Sequence, residues 1–188
     1  MTTELYFVRH AASDLSVKDE RVRPLSEQGQ QDAQKLLQVF ENVKIDHIYS
    51  SPYARAIDTV KYLAESHGKT ITTRENLRER TIGRWIDDFQ SYAYAQWKDF
   101  HYTIEHGESL HDVQARNIAE VERLLDQHEN STIIIGTHGT ALGTVLNYYD
   151  QDFGFEQFWA MVDKMPYIMR MIFENNTFKS LEELALSL

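Results

Sequence analysis

Short apolar runs alternate along this chain with longer stretches in which apolar residues return at helical spacing. Leu5–Val8, Ile45–Tyr49, Ile71–Thr73 and Thr132–Ile135 are brief and β-prone, which predicts strands. Ala33, Leu36, Leu37 and Phe40 share one face of a segment from Ser26 to Glu41, with Ser26 placed to cap its start. Pro52 stands where a second helix can begin, and Ile57, Val60, Leu63 and Ala64 carry it as far as Gly68. A third helix is predicted from Ser109 to about Gln127, with Leu110, Val113, Val121, Leu124 and Leu125 facing inward. From Gly139 onward the pattern reads as a helix, a looser aromatic stretch, and a strand around Tyr167–Phe173. Strands that alternate with helices predict an α/β layout, paired mainly in parallel through helical crossovers.

One segment breaks the rhythm. WIDDFQSYAYAQWKDFHYT, from Trp85 to Thr103, is dense in aromatics without a clean apolar face, and reads as an insertion over about residues 85–107. It is open to two readings. As a lid, Phe89, Tyr92, Trp97 and Tyr102 would exclude water and touch a leaving group. As structure, they would form a satellite core or a homodimer contact. No repeat, low-complexity tract or linker divides the chain, so residues 1–188 are expected to form a single domain.

Composition narrows the partners. A formal charge of −10 and a pI near 5.2 argue against nucleic acid and anionic membrane, both of which are bound by clustered Lys and Arg. An anionic ligand would therefore need a locally positive pocket. With no cysteine there is no disulfide, thiolate metal site or Cys nucleophile. No leader pattern and no run of the ~20 apolar residues that span a bilayer is present, so a soluble, cytoplasmic chain is expected.

Candidate chemistry collects at the strand ends, where open parallel sheets place their ligands. The first strand runs into RHAAS, with Arg9 and His10, and the second into SSPYARAIDT, with Arg55 one turn into the following helix. The third runs into LRERTIGRW, with Glu79, and the fourth into GTHGTA, with His138 and Gly139. Each is unremarkable alone: a capping His, a solvent-facing Arg, a surface Glu. Together they are chemically coherent. A neutral imidazole is a competent nucleophile when its other nitrogen is held. Two guanidiniums grip phosphoryl oxygens in forked geometry, and helix-start N–H groups after Gly139 favour an anion. A carboxylic acid can protonate the leaving oxygen. The scheme requires no metal and no cofactor. His101, His106 and His111 do not share a helical face and carry no matching carboxylates, so no metal site is expected there.

RHAAS, RPLSEQGQQDA, SSPYARAIDT, LRERTIGRW and IIIGTHGTAL, in that order, resemble the signature blocks of the histidine phosphatase superfamily, the phosphoglycerate mutase-like proteins, over Leu5 to Leu146. The resemblance implies a three-layer α/β/α sandwich with a mostly parallel central sheet. It implies His10 as a nucleophile carrying a phosphohistidine, with Arg9, Arg55, His138 and Gly139 around the phosphoryl group and Glu79 as proton donor and later base. Ser51, Pro52 and Gly29 would shape loops. Ala11, Ala12 and Ser13 depart from the family pattern, as do Ser16, where relatives place a phosphate-binding Asn, and the end of GRWIDD.

The same five residues serve phosphatases and phosphomutases. Relatives that act as mutases usually have a longer segment after the Arg-His block. Only fifteen residues, Ala11 to Leu25, separate His10 from Ser26 here, which favours hydrolysis. The insertion favours small phosphate monoesters over phosphoproteins. A phosphomutase, and a catalytically weak member that binds a phosphorylated ligand, are the alternatives.

Overall fold

The computed structural model describes residues 1–186. Six strands form one sheet in the order β3-β2-β4-β1-β5-β6. β1 (Thr2–Arg9), β2 (His47–Ser50), β3 (Ile71–Thr73) and β4 (Thr132–Thr137) pair in parallel, and β5 (Tyr167–Glu174) and β6 (Thr177–Leu184) add antiparallel to the β1 side. The sheet is thus mostly parallel, with an antiparallel flank.

Period-2 alternation within the central strands divides the core. Leu5 and Phe7 of β1, with Ile133 and Ile135 of β4, face one layer; Tyr6, Val8 and Ile134 face the other. Both faces are buried, as parallel strands require. Helices α1 (Glu27–Val39) and α2 (Ala54–Ser66) cover the second face through Leu36, Val60 and Leu63. Helices α3 (Phe89–Lys98), α4 (Leu110–Gln127), α5 (Gly139–Tyr149) and α6 (Phe155–Met161) cover the first through Trp97, Val121, Leu142 and Phe158. The result is the expected three-layer sandwich.

Caps set the helix starts. The Ser26 hydroxyl accepts the Gly29 N–H and opens α1, while Ser109 and Asp112 form a reciprocal capping box that opens α4. Gly29 is obligatory, because a Cβ there would collide with the Ala12 carbonyl oxygen. The structure adds β6, which the hydrophobic pattern did not predict. Asn175 and Asn176, both at positive φ (48° and 60°), turn the chain back along β5.

The aromatic segment is resolved toward packing. Tyr92 and Trp97 are buried, and Trp97 lies against Phe100, Phe153 and Phe158. Tyr92 and Trp97 are therefore core residues, while Trp85, Tyr94 and Tyr102 are exposed.

Candidate active site

Strand register brings the polar residues together. Arg9 pairs across the sheet with Thr137 and Ser50 with Gly136, so His10, Ser51 and His138 emerge side by side at the carboxyl ends of β1, β2 and β4. The His10 N–H donates to the Thr137 carbonyl at 3.0 Å. The two imidazole centroids are 5.3 Å apart, edge to face.

His10 is held in one tautomer. Its Nδ1 lies 2.7 Å from the Ala11 carbonyl oxygen, which can only accept, so Nδ1 carries the proton and Nε2 the lone pair. Arg55 Nε donates to that Nε2 at 3.3 Å. Burial first, and the Arg55 charge second, push the His10 imidazolium down to about 3, against the pull of the Ala11 bond. At neutral pH the ring is therefore uncharged.

His138 is fully buried, and its charged form is disfavoured strongly by burial and then by Arg55. Its Nε2 sits 2.7 Å from Ser51 Oγ, which accepts the Tyr53 N–H at 3.2 Å. A Ser51 hydroxyl that donates to Nε2 puts the His138 proton on Nδ1, the buried ring nitrogen with no partner among the described residues.

Three buried arginines supply the positive charge. Arg55, 3% exposed, also donates to the Glu20 carbonyl at 2.6 Å. Arg9 Nη1 donates to the carbonyls of Met161 (2.6 Å) and Lys164 (3.2 Å), and its Nε is buried without a partner among the described residues. Burial lowers Arg9 to about 10, with Glu79 and Asp163 opposing. Arg23, 8% exposed, is the third, at the start of RPLSEQGQQDA and without a role legible in the sequence. It ties down the loop over the site through the carbonyls of Val17 (2.7 Å) and Lys18 (3.2 Å). Its charge adds to the forces that keep His10 neutral. These buried guanidiniums concentrate positive charge within an otherwise acidic chain.

Glu79 arrives from the irregular segment after the 3-10 turn Glu75–Leu77. Its carboxylate accepts N–H bonds from Thr140 (3.0 Å), Ala141 (2.9 Å) and Arg80 (2.8 Å). The helix start after Gly139 presents the Thr140 and Ala141 N–H groups to Glu79. A helix N-terminus attracts the nearest carboxylate, and His138, the cap residue, makes no side-chain cap of its own. Gly139 packs closely, since a Cβ there would stand 3.1 Å from the Arg9 guanidinium carbon. Ser16 is exposed, its hydroxyl bonded to Asp14 at 2.6 Å. His101 and His111 lie with ring centroids 4.6 Å apart on the surface. Among the described residues, no three His, Asp or Glu side chains gather into a metal-holding group.

The strand ends thus gather an uncharged imidazole lone pair, three guanidiniums, a second buried imidazole and a carboxyl group. The family model of the histidine phosphatase superfamily (branch 1) matches residues 5–182. Phosphoglycerate mutase-like protein 4 of Arabidopsis thaliana is 29% identical over 143 residues, 68% of this chain but only 59% of that protein's length. A probable phosphoglycerate mutase of Yersinia pestis, GpmB, is 29% identical over 158 residues, covering 77% of this chain and 73% of that one. YhfR of Bacillus stearothermophilus superposes with a TM-score of 0.78 at 29% identity, over 94% of each chain. A mycobacterial glucosyl-3-phosphoglycerate phosphatase gives a TM-score of 0.78 over 97% of each chain at 19% identity, a likeness of fold.

Proposed function

From the premise that the chain belongs to the histidine phosphatase superfamily (branch 1), we propose that it hydrolyses phosphate monoesters of small metabolites through a phosphohistidine at His10. The observation that carries this reading is the neutral His10 ring. Its Nδ1–H is fixed on Ala11 and its Nε2 lone pair is directed at Arg55.

In the first step the phosphoryl oxygens displace the Arg55–His10 contact and take up Arg55, Arg9 and the His138 Nδ1–H. The His10 Nε2 lone pair attacks phosphorus, the P–O bond to the leaving group breaks, and Glu79 in its acid form gives the departing oxygen a proton. In the second step the Glu79 carboxylate takes a proton from water. The resulting hydroxide attacks phosphorus, the P–N bond breaks, and its electron pair returns to Nε2. The balance closes with side chains and water alone. The positive field of Arg9, Arg23 and Arg55 favours the phosphoryl group over the neutral product alcohol. With no helix among the described residues long and apolar enough to cross a membrane, and an acidic chain, a cytoplasmic setting fits this chemistry.

The test is release of inorganic phosphate, with chelator present, from p-nitrophenyl phosphate and from a panel including 3-phosphoglycerate and phosphoserine. Wild type turns over and His10→Ala falls to background; turnover that survives His10→Ala refutes the reading. Glu79→Gln lowers kcat/KM, which reports transfer to His10 and not the later water step, about 100-fold on alkyl phosphates and much less on the aryl ester, whose leaving group needs little help. Equal losses refute Glu79 as the acid. Phosphate transferred to an acceptor in place of release would favour the mutase reading, which the names of the Arabidopsis and Yersinia relatives support.

A further inference from the structure

Glu79 sits in a stretch, residues 78–88, that belongs to no helix or strand, so no ladder of backbone hydrogen bonds fixes it. The three N–H groups on its carboxylate hold the end of the side chain. Something else must hold the main chain, and α4 does so. Arg116 Nη1 donates to the carbonyls of Asn76 (2.8 Å) and Arg78 (2.7 Å), and Nη2 donates to the carbonyl of Glu79 itself (3.1 Å).

The guanidinium is in turn locked by Glu108, just before α4. Arg116 Nε and Nη2 donate to the two Glu108 oxygens at 3.0 and 3.1 Å. The same carboxylate takes both Nη groups of Arg78 (2.6 and 2.8 Å) and the Thr81 N–H (2.9 Å). Burial alone would raise Glu108, but the bonds from Arg78, Arg116 and Thr81 outweigh it and bring it to about 2. One carboxylate and one guanidinium thus bracket the backbone from Asn76 to Thr81, with Glu79 at the centre. Neither group has a part in the phosphoryl chemistry.

We propose that Glu108 and Arg116 are positioning residues for proton transfer: they set the distance of Glu79 from the leaving oxygen. The inference rests on the reading of Glu79 as acid and base. The forked geometry is essential, because a lysine at 116 brings a point charge that cannot span three carbonyls and a carboxylate. Small misplacements of a proton donor are expensive in rate, while binding of the phosphoryl group is untouched.

The experiment measures kcat and KM on p-nitrophenyl phosphate and β-glycerophosphate for wild type, Arg116→Lys, Glu108→Gln, Glu79→Gln and the Glu79→Gln/Arg116→Lys pair. Arg116→Lys lowers kcat/KM, which reports the transfer step, about 10-fold on the alkyl ester and less than about twofold on the aryl ester. It adds no further alkyl-specific loss once Glu79 is Gln, since residues acting through one group are not additive. Glu108→Gln shifts kcat/KM in the same leaving-group-dependent way, and carries the test if Arg116→Lys does not fold. Equal losses on both esters, no loss, or an additive double variant overturn the proposal. If Glu79→Gln shows leaving-group dependence and the bracket variants do not, only the bracket fails. If Glu79→Gln shows none, the acid role fails and the bracket with it.

Discussion

Holding a histidine neutral inside an arginine cluster has a measurable cost in acid. In the unfolded chain His10 titrates near 6.5; in the folded protein burial and Arg55 hold it near 3. The folded pKa is depressed, so the His10 contribution is fully present above pH 6.5 and is lost as pH falls toward 3, while the unfolded state gains the proton first. Each pH unit in that window is worth about 1.4 kcal/mol, so descent from pH 6.5 to 5 removes about 2 kcal/mol through His10 alone. Most carboxylates stay ionised over this range, and His138, also depressed, contributes with the same sign. The perturbation is His10→Gln, which keeps a polar side chain and removes the titration. Urea midpoints and m-values at pH 6.5 and 5, in phosphate-free buffer to avoid stabilisation by a bound anion, give the two stability differences. Wild type is expected to lose about 2 kcal/mol more than the variant across the window. Parallel pH dependences in the two proteins would refute the claim that the fold keeps this ring uncharged.

Three other outcomes follow from the same geometry. Gly29→Ala drives a methyl into the Ala12 carbonyl and is expected to cost about 3 kcal/mol, read as a fall in Tm; an unchanged Tm would show that the loop yields freely. Trp97→Ala is expected to cost about 4 kcal/mol in urea, and exposed Trp85→Ala under about 0.5 kcal/mol; the reverse order would make the segment a lid. Ser51→Ala leaves His138 Nε2 without its partner, a loss of about 1–2 kcal/mol that lowers turnover roughly tenfold, and unchanged kcat would detach Ser51 from the His138 tautomer.

Residues whose position follows from chain geometry alone are legible in the sequence. A residue just after a buried strand must emerge at the sheet's carboxyl edge, which is why Arg9, His10, Arg55 and His138 were visible as a group. Glu79 was visible too, but not what surrounds it. That two N–H groups of α5 go to Glu79 depends on the path of an irregular segment, which has no period to read. Arg23 and Arg116 look in sequence like ordinary charged surface residues, yet both are drawn inward by unpaired loop carbonyls, a demand set by tertiary structure. Strand β6 was missed because an edge strand need not carry an apolar face; the Asn175–Asn176 pair after a β-prone run is the signal that could have found it.

The aromatic segment and the phosphoryl pocket, separate features in the sequence, are joined by α6. Trp97 of α3 packs on Phe158, Phe89 approaches Trp159, and Tyr94 meets Phe155 edge to face, so α3 determines where α6 lies. The carbonyl of Met161, the last residue of α6, then receives Arg9 Nη1 at 2.6 Å, and Lys164 just beyond receives the same group. Arg9 stands at the end of β1 with its buried guanidinium against Gly139, and those two carbonyls fix its Nη1 end. A segment of buried aromatics can therefore govern the orientation of Arg9, because the helix it braces ends on acceptors for that side chain. Sequence change in residues 89–97 is expected to reach the Arg9 guanidinium through α6, by displacement of a carbonyl.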